Sequence, residues 1–104
     1  MDLALLSDHA RTTYGADWQR PLARGLGPLH PDGAREAIDD RLVRRWASGE
    51  RPIPEWVGPA LARAMEIQAD AYARRAALIR ERAGELRIEL RPVPDEGPEM
   101  DMRP

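Results

Sequence analysis

The chain has 104 residues, a net charge of −2 and no cysteine. This length is enough for one small domain with a modest core, and it leaves no room for a substrate domain beside a cofactor domain. Without cysteine the chain builds neither a disulfide framework nor a thiolate zinc site, and its two histidines, His9 and His30, do not complete a metal site alone. We therefore expect no metal and no other cofactor.

The apolar segments are short. The stretch near the start, Leu3 to Leu6, is much shorter than a signal-peptide core, and nothing approaches the roughly 20 apolar residues of a membrane span. The sequence predicts a cytoplasmic protein that does not bind membranes.

Positive charge is concentrated in one segment. Between residues 41 and 51, four arginines accompany a single acidic residue, Glu50, whereas residues 95–104 carry four acidic residues and only Arg103. A negative net charge argues against non-specific coating of nucleic acid, which requires many clustered cations. The local patch still suits a binding surface of limited size.

The first apolar pattern predicts a helix over residues 3–14. Leu3, Leu6 and Ala10 lie on one helical stripe with Tyr14 four residues beyond, and Gly15 suits the left-handed residue that ends a helix. Helix 1 is therefore expected to present one apolar face to the core.

A second helix is predicted from Trp18 to Leu26, with Asp17 as its N-cap. Gly27 and Pro28 should stop it, and the two prolines and one glycine of residues 28–33 predict a loop. The length of two to three turns is typical of the first helix of a helix-turn-helix.

A third helix follows the loop and ends near Ser48 and Gly49. Its start is left open between Ala34 and Asp40, with Asp39 or Asp40 as the cap. Apolar residues recur at every fourth position, at Ala34, Ile38, Leu42 and Trp46. Residues 51–54, Arg-Pro-Ile-Pro, should be extended because a residue before proline avoids the α region.

A long fourth helix is expected to begin at Gly58-Pro59. Its apolar positions alternate steps of three and four, with alanine at each a-like position and a larger residue at each d-like one. The stripe either packs on the chain's own domain or pairs with a second copy, and we favour the homodimer. The residues assigned to dimerisation are Met65, Ala69, Tyr72, Ala76, Ile79, Ala83, Leu86 and Ile88.

Residues 85–91 change period. Leu86, Ile88 and Leu90 alternate with charged residues, and a period of two is typical of a strand. Both a short strand that pairs across a dimer and the end of the long helix remain open here. The segment 92–104 is rich in proline and acid, which predicts a disordered acidic tail.

Two segments carry a recognisable motif: residues 22–27, Leu-Ala-Arg-Gly-Leu-Gly, and residues 42–54, which contain Val43, Trp46 and Gly49. Together they resemble the lambda-repressor-like helix-turn-helix family, in which a leucine-alanine helix and a glycine turn precede a valine-x-x-tryptophan recognition helix. Physically, the small Ala23 lets the two helices cross closely, Gly27 suits the turn, and Val43 with Trp46 buries the back of the third helix.

The resemblance has one departure. Family members separate the turn glycine from the tryptophan by about nine residues, whereas Gly27 and Trp46 are nineteen apart. About ten residues, within Pro28 to Asp39, are therefore interpreted as an insertion, and the likeness extends from Tyr14 to about Val57.

The resemblance implies that the start of helix 3 enters the major groove of double-stranded DNA. Arg41 and Arg44 are then the candidates for base contacts, and Arg45 or Arg51 for phosphate. Family members often touch phosphate from the position that Gln19 occupies, and Arg35 in the insertion is a further candidate. The alternative for the arginines is an ordinary solvated face.

The sequence as a whole predicts an all-α fold: a helix-turn-helix bundle of about four helices followed by a long C-terminal helix. Residues 1–57 would bind DNA, 58–91 would dimerise and 92–104 would form the tail. The expected function is a homodimeric transcriptional repressor that reads an inverted repeat, with recognition helices about one DNA turn apart. The alternatives are a dimeric adaptor or inhibitor that binds an acidic protein surface, and a non-regulatory DNA-binding protein in packaging or recombination.

Catalysis is not expected. Asp39 and Asp40 are adjacent, so on a helix they would point in different directions and could not act together as a general acid and base. The sequence contains no phosphate-binding loop motif and no metal-ligand spacing. No small-molecule effector is evident.

Overall fold

A computed structural model describes residues 1–92 of the chain. It contains four α-helices: α1 (Leu3–Tyr14), α2 (Gln19–Leu26), α3 (Asp40–Ala47) and α4 (Val57–Glu89), with a 3₁₀ turn at Gly27–Leu29. The described residues contain no strand. The all-α prediction, with a long C-terminal helix, is confirmed, and the long helix is itself the fourth of the bundle.

Helix α1 has the bounds that the sequence predicts. Asp2 caps it, because one carboxylate oxygen accepts a hydrogen bond of 2.8 Å from the Leu5 N–H. Gly15 ends it with a φ of 91°, in the region that favours glycine. Leu6 and Ala10 are completely buried, so the predicted stripe faces the core.

Helix α2 begins differently from the prediction. Its N-cap is Trp18, not Asp17, and no side chain caps it. The indole of Trp18 is buried in the core, and its carbonyl accepts the first hydrogen bond of the helix, from the Leu22 N–H at 2.9 Å. Burial of a large aromatic group therefore sets the start of α2, whereas Asp17 is exposed and lies outside the helix.

Helix α3 begins at Asp40, which decides between the two starts left open by the sequence. The side chain of Asp39 accepts a 3.0 Å hydrogen bond from the Arg41 N–H and so caps the helix. Ala34 lies exposed in the preceding loop, although Ile38 in that loop is buried. Ser48 is the C-cap, followed by Gly49 with a φ of 79°.

Residues 1–71 form one compact unit, and the described residues from Tyr72 onward, 72–92, belong to a second. In the first unit, α1, α2, α3 and the first two turns of α4 surround one apolar core. All three tryptophans lie in or against it. Its most deeply buried large side chains are Trp18, Trp46, Leu6, Leu22, Leu26, Val43 and Val57.

The loop between α2 and α3 packs against the end of α2. The Ile38 N–H donates to the Ala23 carbonyl at 3.0 Å, and the Arg35 N–H donates to the Gly27 carbonyl at 3.0 Å. The Ala23 carbonyl also accepts the Gly27 N–H at the end of α2, so it is shared between the helix and the loop. The segment interpreted as an insertion is therefore held to α2 by backbone hydrogen bonds.

Gly27 has a different role from the predicted one. Its φ of −52° and ψ of −53° are available to any residue, so the turn does not require glycine there. A Cβ at this position would instead lie 2.6 Å from the Ala37 Cα and 2.7 Å from the Arg35 carbonyl oxygen. The absence of a side chain lets the loop backbone approach α2 closely.

The strand considered for residues 85–91 is wrong. Helix α4 continues to Glu89, and the Leu90 N–H donates to the Leu86 carbonyl at 2.9 Å. A helix satisfies these backbone groups within one segment, whereas a lone strand requires another chain. The tail predicted to be disordered, residues 92–104, lies outside the described residues except for Pro92.

The contact at Gly27 gives a test of the loop position. We expect Gly27→Ala to lower the free energy of unfolding by about 2 kcal/mol, because its methyl group would collide with backbone that has little freedom to move. The matched control is Gly58→Ala, where a Cβ in the first turn of α4 has nothing within 4 Å. The control should be neutral or slightly stabilising. Urea denaturation of both variants measures the difference, and equal stabilities would contradict the close approach.

Candidate nucleic-acid interface

Helix α3 has one buried and one charged face. Val43 and Trp46 are 0% and 1% exposed and hold the helix in the core. Arg41, Arg44 and Arg45 are all exposed and share the opposite face, because residues three and four apart are neighbours on a helix. The three arginines therefore form a cationic surface on α3. Burial of Val43 and Trp46 on the other face of the helix holds this surface in place.

The first arginine is held by the helix cap. The guanidinium of Arg41 donates from Nε to Oδ1 of Asp39 at 3.3 Å and from Nη2 to Oδ2 at 3.2 Å. These side-chain hydrogen bonds, together with the one from the Arg41 backbone N–H, hold the pKa of Asp39 below its usual value. The same pair raises the pKa of Arg41. The carboxylate thus caps α3 and orients its first arginine.

A second carboxylate links α2 and α3. Oδ2 of Asp40 lies 3.3 Å from Nη2 of Arg44, one turn along α3, and 3.8 Å from Nε of Arg20 in the first turn of α2. The pairs are largely exposed, so each contributes little to stability. The two pairs do, however, place Arg20 of α2 and Arg44 of α3 beside the same carboxylate, that of Asp40.

Arg20 was not predicted as a site residue from the sequence. It directly follows Gln19, which the family resemblance singles out, and its pairing with Asp40 depends on the approach of α2 and α3. The available signal was its place in the first turn of α2, since the first helix of a helix-turn-helix crosses the DNA backbone.

The remaining predicted DNA contacts are more scattered. Gln19 is half-buried at the start of α2. Arg35 lies in the loop, where its Nε donates to the Gly33 carbonyl at 3.3 Å. Arg51 follows α3, and its N–H donates to the Arg45 carbonyl at 3.2 Å. Within residues 1–92, the structure records no ion pair for Arg45 or Arg51.

The predicted dimerisation residues lie along α4. Seven of them keep the alternating three- and four-residue spacing of one helical stripe, and Tyr72, Ile79 and Leu86 are more than half exposed. Ile88 does not belong to this stripe, because it lies two residues, or about 200°, around the helix from Leu86. Its assignment with Leu86 depended on a strand and is corrected by the helix.

The described residues, 1–92, include no group of three or more histidine or acidic side chains arranged to hold a metal ion. None of their helices combines the length and apolar character that a membrane crossing requires.

Comparison of the chain with protein-family models, with curated proteins and with solved structures gave no match. The resemblance to the lambda-repressor-like family therefore remains a prediction from the motif residues.

The cap of α3 should make stability depend on pH. Because the native pKa of Asp39 lies below the ordinary value near 3.9, its ionised form stabilises the fold above that pH, and this contribution disappears as the pH falls through the native pKa. We expect Asp39→Asn to be less stable than the wild type at pH 7, with the difference shrinking below about pH 4.

Asparagine is a suitable substitution because it caps helices nearly as well as aspartate but carries no charge. Asp32→Asn serves as the control, since Asp32 lies exposed in the loop and makes no recorded ion pair within residues 1–92. Thermal unfolding at several pH values measures the effect. A difference for Asp39→Asn that stayed constant from pH 7 to pH 3 would contradict the ion pair.

Proposed function

We propose that this protein binds double-stranded DNA in a sequence-dependent manner, with the amino-terminal part of α3 in the major groove. The observation that carries the proposal is the surface formed by Arg41, Arg44 and Arg45 on a helix whose opposite face is buried through Val43 and Trp46. A rigidly held helix with outward arginines is what reading of base edges requires.

Arg41 and Arg44 are the proposed base contacts. A guanidinium matches the O6 and N7 acceptors of guanine with two parallel hydrogen bonds, and in the free protein each of these guanidinium groups pairs with a carboxylate. Ion pairs with an exposed arginine are weak, so exchange of a carboxylate for a base edge costs little.

The surrounding polar residues are proposed to contact phosphate. Arg20 and Gln19 lie in the first turn of α2, and Arg45 and Arg51 lie on and just after α3. Contacts to phosphate fix the register of a protein on the duplex without reading its sequence. Because the cationic patch is small and the net charge of the chain is negative, non-specific binding of DNA elsewhere on the protein is disfavoured.

The cellular role that best suits these features is transcriptional regulation in the cytoplasm, without catalysis, by a homodimer that binds a repeated site. The support for the dimer is the stripe on α4, where large apolar side chains lie in water along a helix of 33 residues. Repression is the proposed mode, since a bound dimer of this size acts by occupying its site.

An acidic protein surface is the second candidate ligand for the arginine face. Its support is that the arginines already pair with Asp39 and Asp40 in the free protein, so carboxylates fit them. Salt separates the two ligands. DNA affinity should fall log-linearly and steeply with salt concentration, whereas the affinity for a protein surface should respond less.

Arg44 gives the direct test of base reading. We expect Arg44→Ala to weaken binding to the preferred DNA site about 10- to 100-fold, corresponding to about 1–3 kcal/mol, and to relax the preference at one base pair. The site would be selected from the DNA upstream of the gene or from a random library, and binding would be measured by fluorescence anisotropy.

The matched control is Arg74→Ala, which removes the same charge from an exposed position on α4 outside the α3 surface. It should leave both affinity and base preference unchanged. Equal effects of the two substitutions, or an unaltered preference in Arg44→Ala, would contradict base reading by α3.

A further inference from the structure

The part of α4 beyond Ala71 carries an apolar stripe on one side of the helix. Tyr72, Ile79 and Leu86 are 51%, 56% and 58% exposed, and Ala76 and Ala83 lie between them on the same side. Arg75, Leu78 and Arg82 line one edge of a shallow groove that also includes Ile79, Ala83 and Leu86. Apolar side chains exposed to water cost free energy, so burial of this stripe against an occupant is favourable.

We infer that the occupant is a second copy of α4, and that the two helices pair in antiparallel orientation. The inference specifies the dimer of the proposed function and does not depend on DNA binding. Two independent features of the stripe carry it: the alternation of small and large side chains, and the placement of the arginines at its edges.

The packing of side chains disfavours a parallel pair. A parallel pair would place like positions opposite each other, so that a layer with Ala76 from both copies would alternate with a layer containing Ile79 from both. Layers of two alanines pack well only when the helix axes are close together. Layers of two isoleucines or two tyrosines need a longer distance between the axes. A straight pair of helices has only one distance, so parallel packing would leave cavities at the alanines.

An antiparallel pair gives every layer the same composition. With the centre between Ala76 and Ile79, Ala76 lies opposite the second copy's Ile79, and Tyr72 lies opposite its Ala83. Each layer then contains one small and one large side chain, and all layers suit one interaxial distance. Ala69 opposite the second copy's Leu86 continues the series.

Arginines on both edges of the stripe also disfavour a parallel pair. In the heptad register, Arg75 and Arg82 flank one edge of the stripe, and Arg80 and Arg87 flank the other. A parallel pair would bring Arg75 beside the second copy's Arg80, and Arg82 beside its Arg87. Counted over both copies, that orientation creates four contacts between like charges and no compensating contact between opposite charges at these positions.

Antiparallel pairing reduces this repulsion. The like-charged contact that remains is Arg75 with the second copy's Arg82, which already pairs with Glu85 of its own helix at 3.1 Å. Arg87 now lies beside the second copy's Glu66, a contact between opposite charges. Both packing and charge therefore favour the same orientation.

The existence of the dimer is tested first. Sedimentation equilibrium of the full chain should show a dimer, Ile79→Glu should give a monomer, and Ile67→Glu should remain dimeric. Ile67 is the matched control because it is the same residue type and is 44% exposed, but it lies about 120° away from Ile79 around the helix. A monomeric wild type at 100 µM, or equal behaviour of both variants, would overturn the inference in favour of a different partner.

The orientation is tested by disulfide cross-linking, which is clean because the chain has no cysteine of its own. Ala69→Cys and Leu86→Cys would be prepared as separate proteins with tags of different mass, mixed, exchanged and oxidised. We expect the mixed disulfide between positions 69 and 86 and little cross-linking of either protein with itself. Self-cross-linking of both, without the mixed product, would show parallel pairing and overturn the inference.

Ala77→Cys, on the opposite side of α4, is the control for random collision and should not cross-link. These measurements need no DNA. A failure here therefore leaves the proposed reading of DNA by α3 intact, and a failure of the Arg44 experiment leaves the dimer intact.

Discussion

The packing of α3 on the core through Val43 and Trp46 is the constraint on which the candidate site depends. Both side chains are almost completely buried, and their burial fixes the rotation of α3, because a helix that turns by 100° would bring its arginines into the core. Arginine at positions 41, 44 and 45 is then forced outward. The Asp39 cap adds a second fixed point at the start of the helix, so both the rotation and the first residue of α3 are set before any ligand binds.

The loop before α3 shows how a long connection is accommodated while α2 and α3 stay packed against each other. It returns to α2 through hydrogen bonds to the Ala23 and Gly27 carbonyls and through the close approach at Gly27. The entropic cost of closing this loop is modest, because the cost of loop closure rises only with the logarithm of the number of residues. Near the start of the loop, the ring centroids of His30 and Trp56 lie 4.8 Å apart. Because Trp56 packs against the core, this gives the loop a further contact with it.

Much of the fold was predictable because local signals and the core agree. The apolar stripe of α1, the terminal Gly15 and the glycine after α3 each express one local preference that tertiary packing also favours. Three features were not predictable because they depend on distant contacts. Trp18 starts α2 because its indole is buried, Gly27 is required by Ala37, and Arg20 joins the site only when α2 lies beside α3. The alternation at Leu86, Ile88 and Leu90 misled because period two is weak evidence in so short a segment, and an existing helix extends at little cost.

The orientation inferred for the α4 pair follows from side-chain volume along the helix. In a parallel pair, layers with two alanines would alternate with layers that contain two large side chains, and a straight pair of helices cannot give both kinds of layer the distance that they need. In an antiparallel pair every layer holds one alanine and one large side chain, so one interaxial distance suits all of them. The same regular alternation of small and large residues that predicts a helical stripe therefore also favours one direction of pairing over the other.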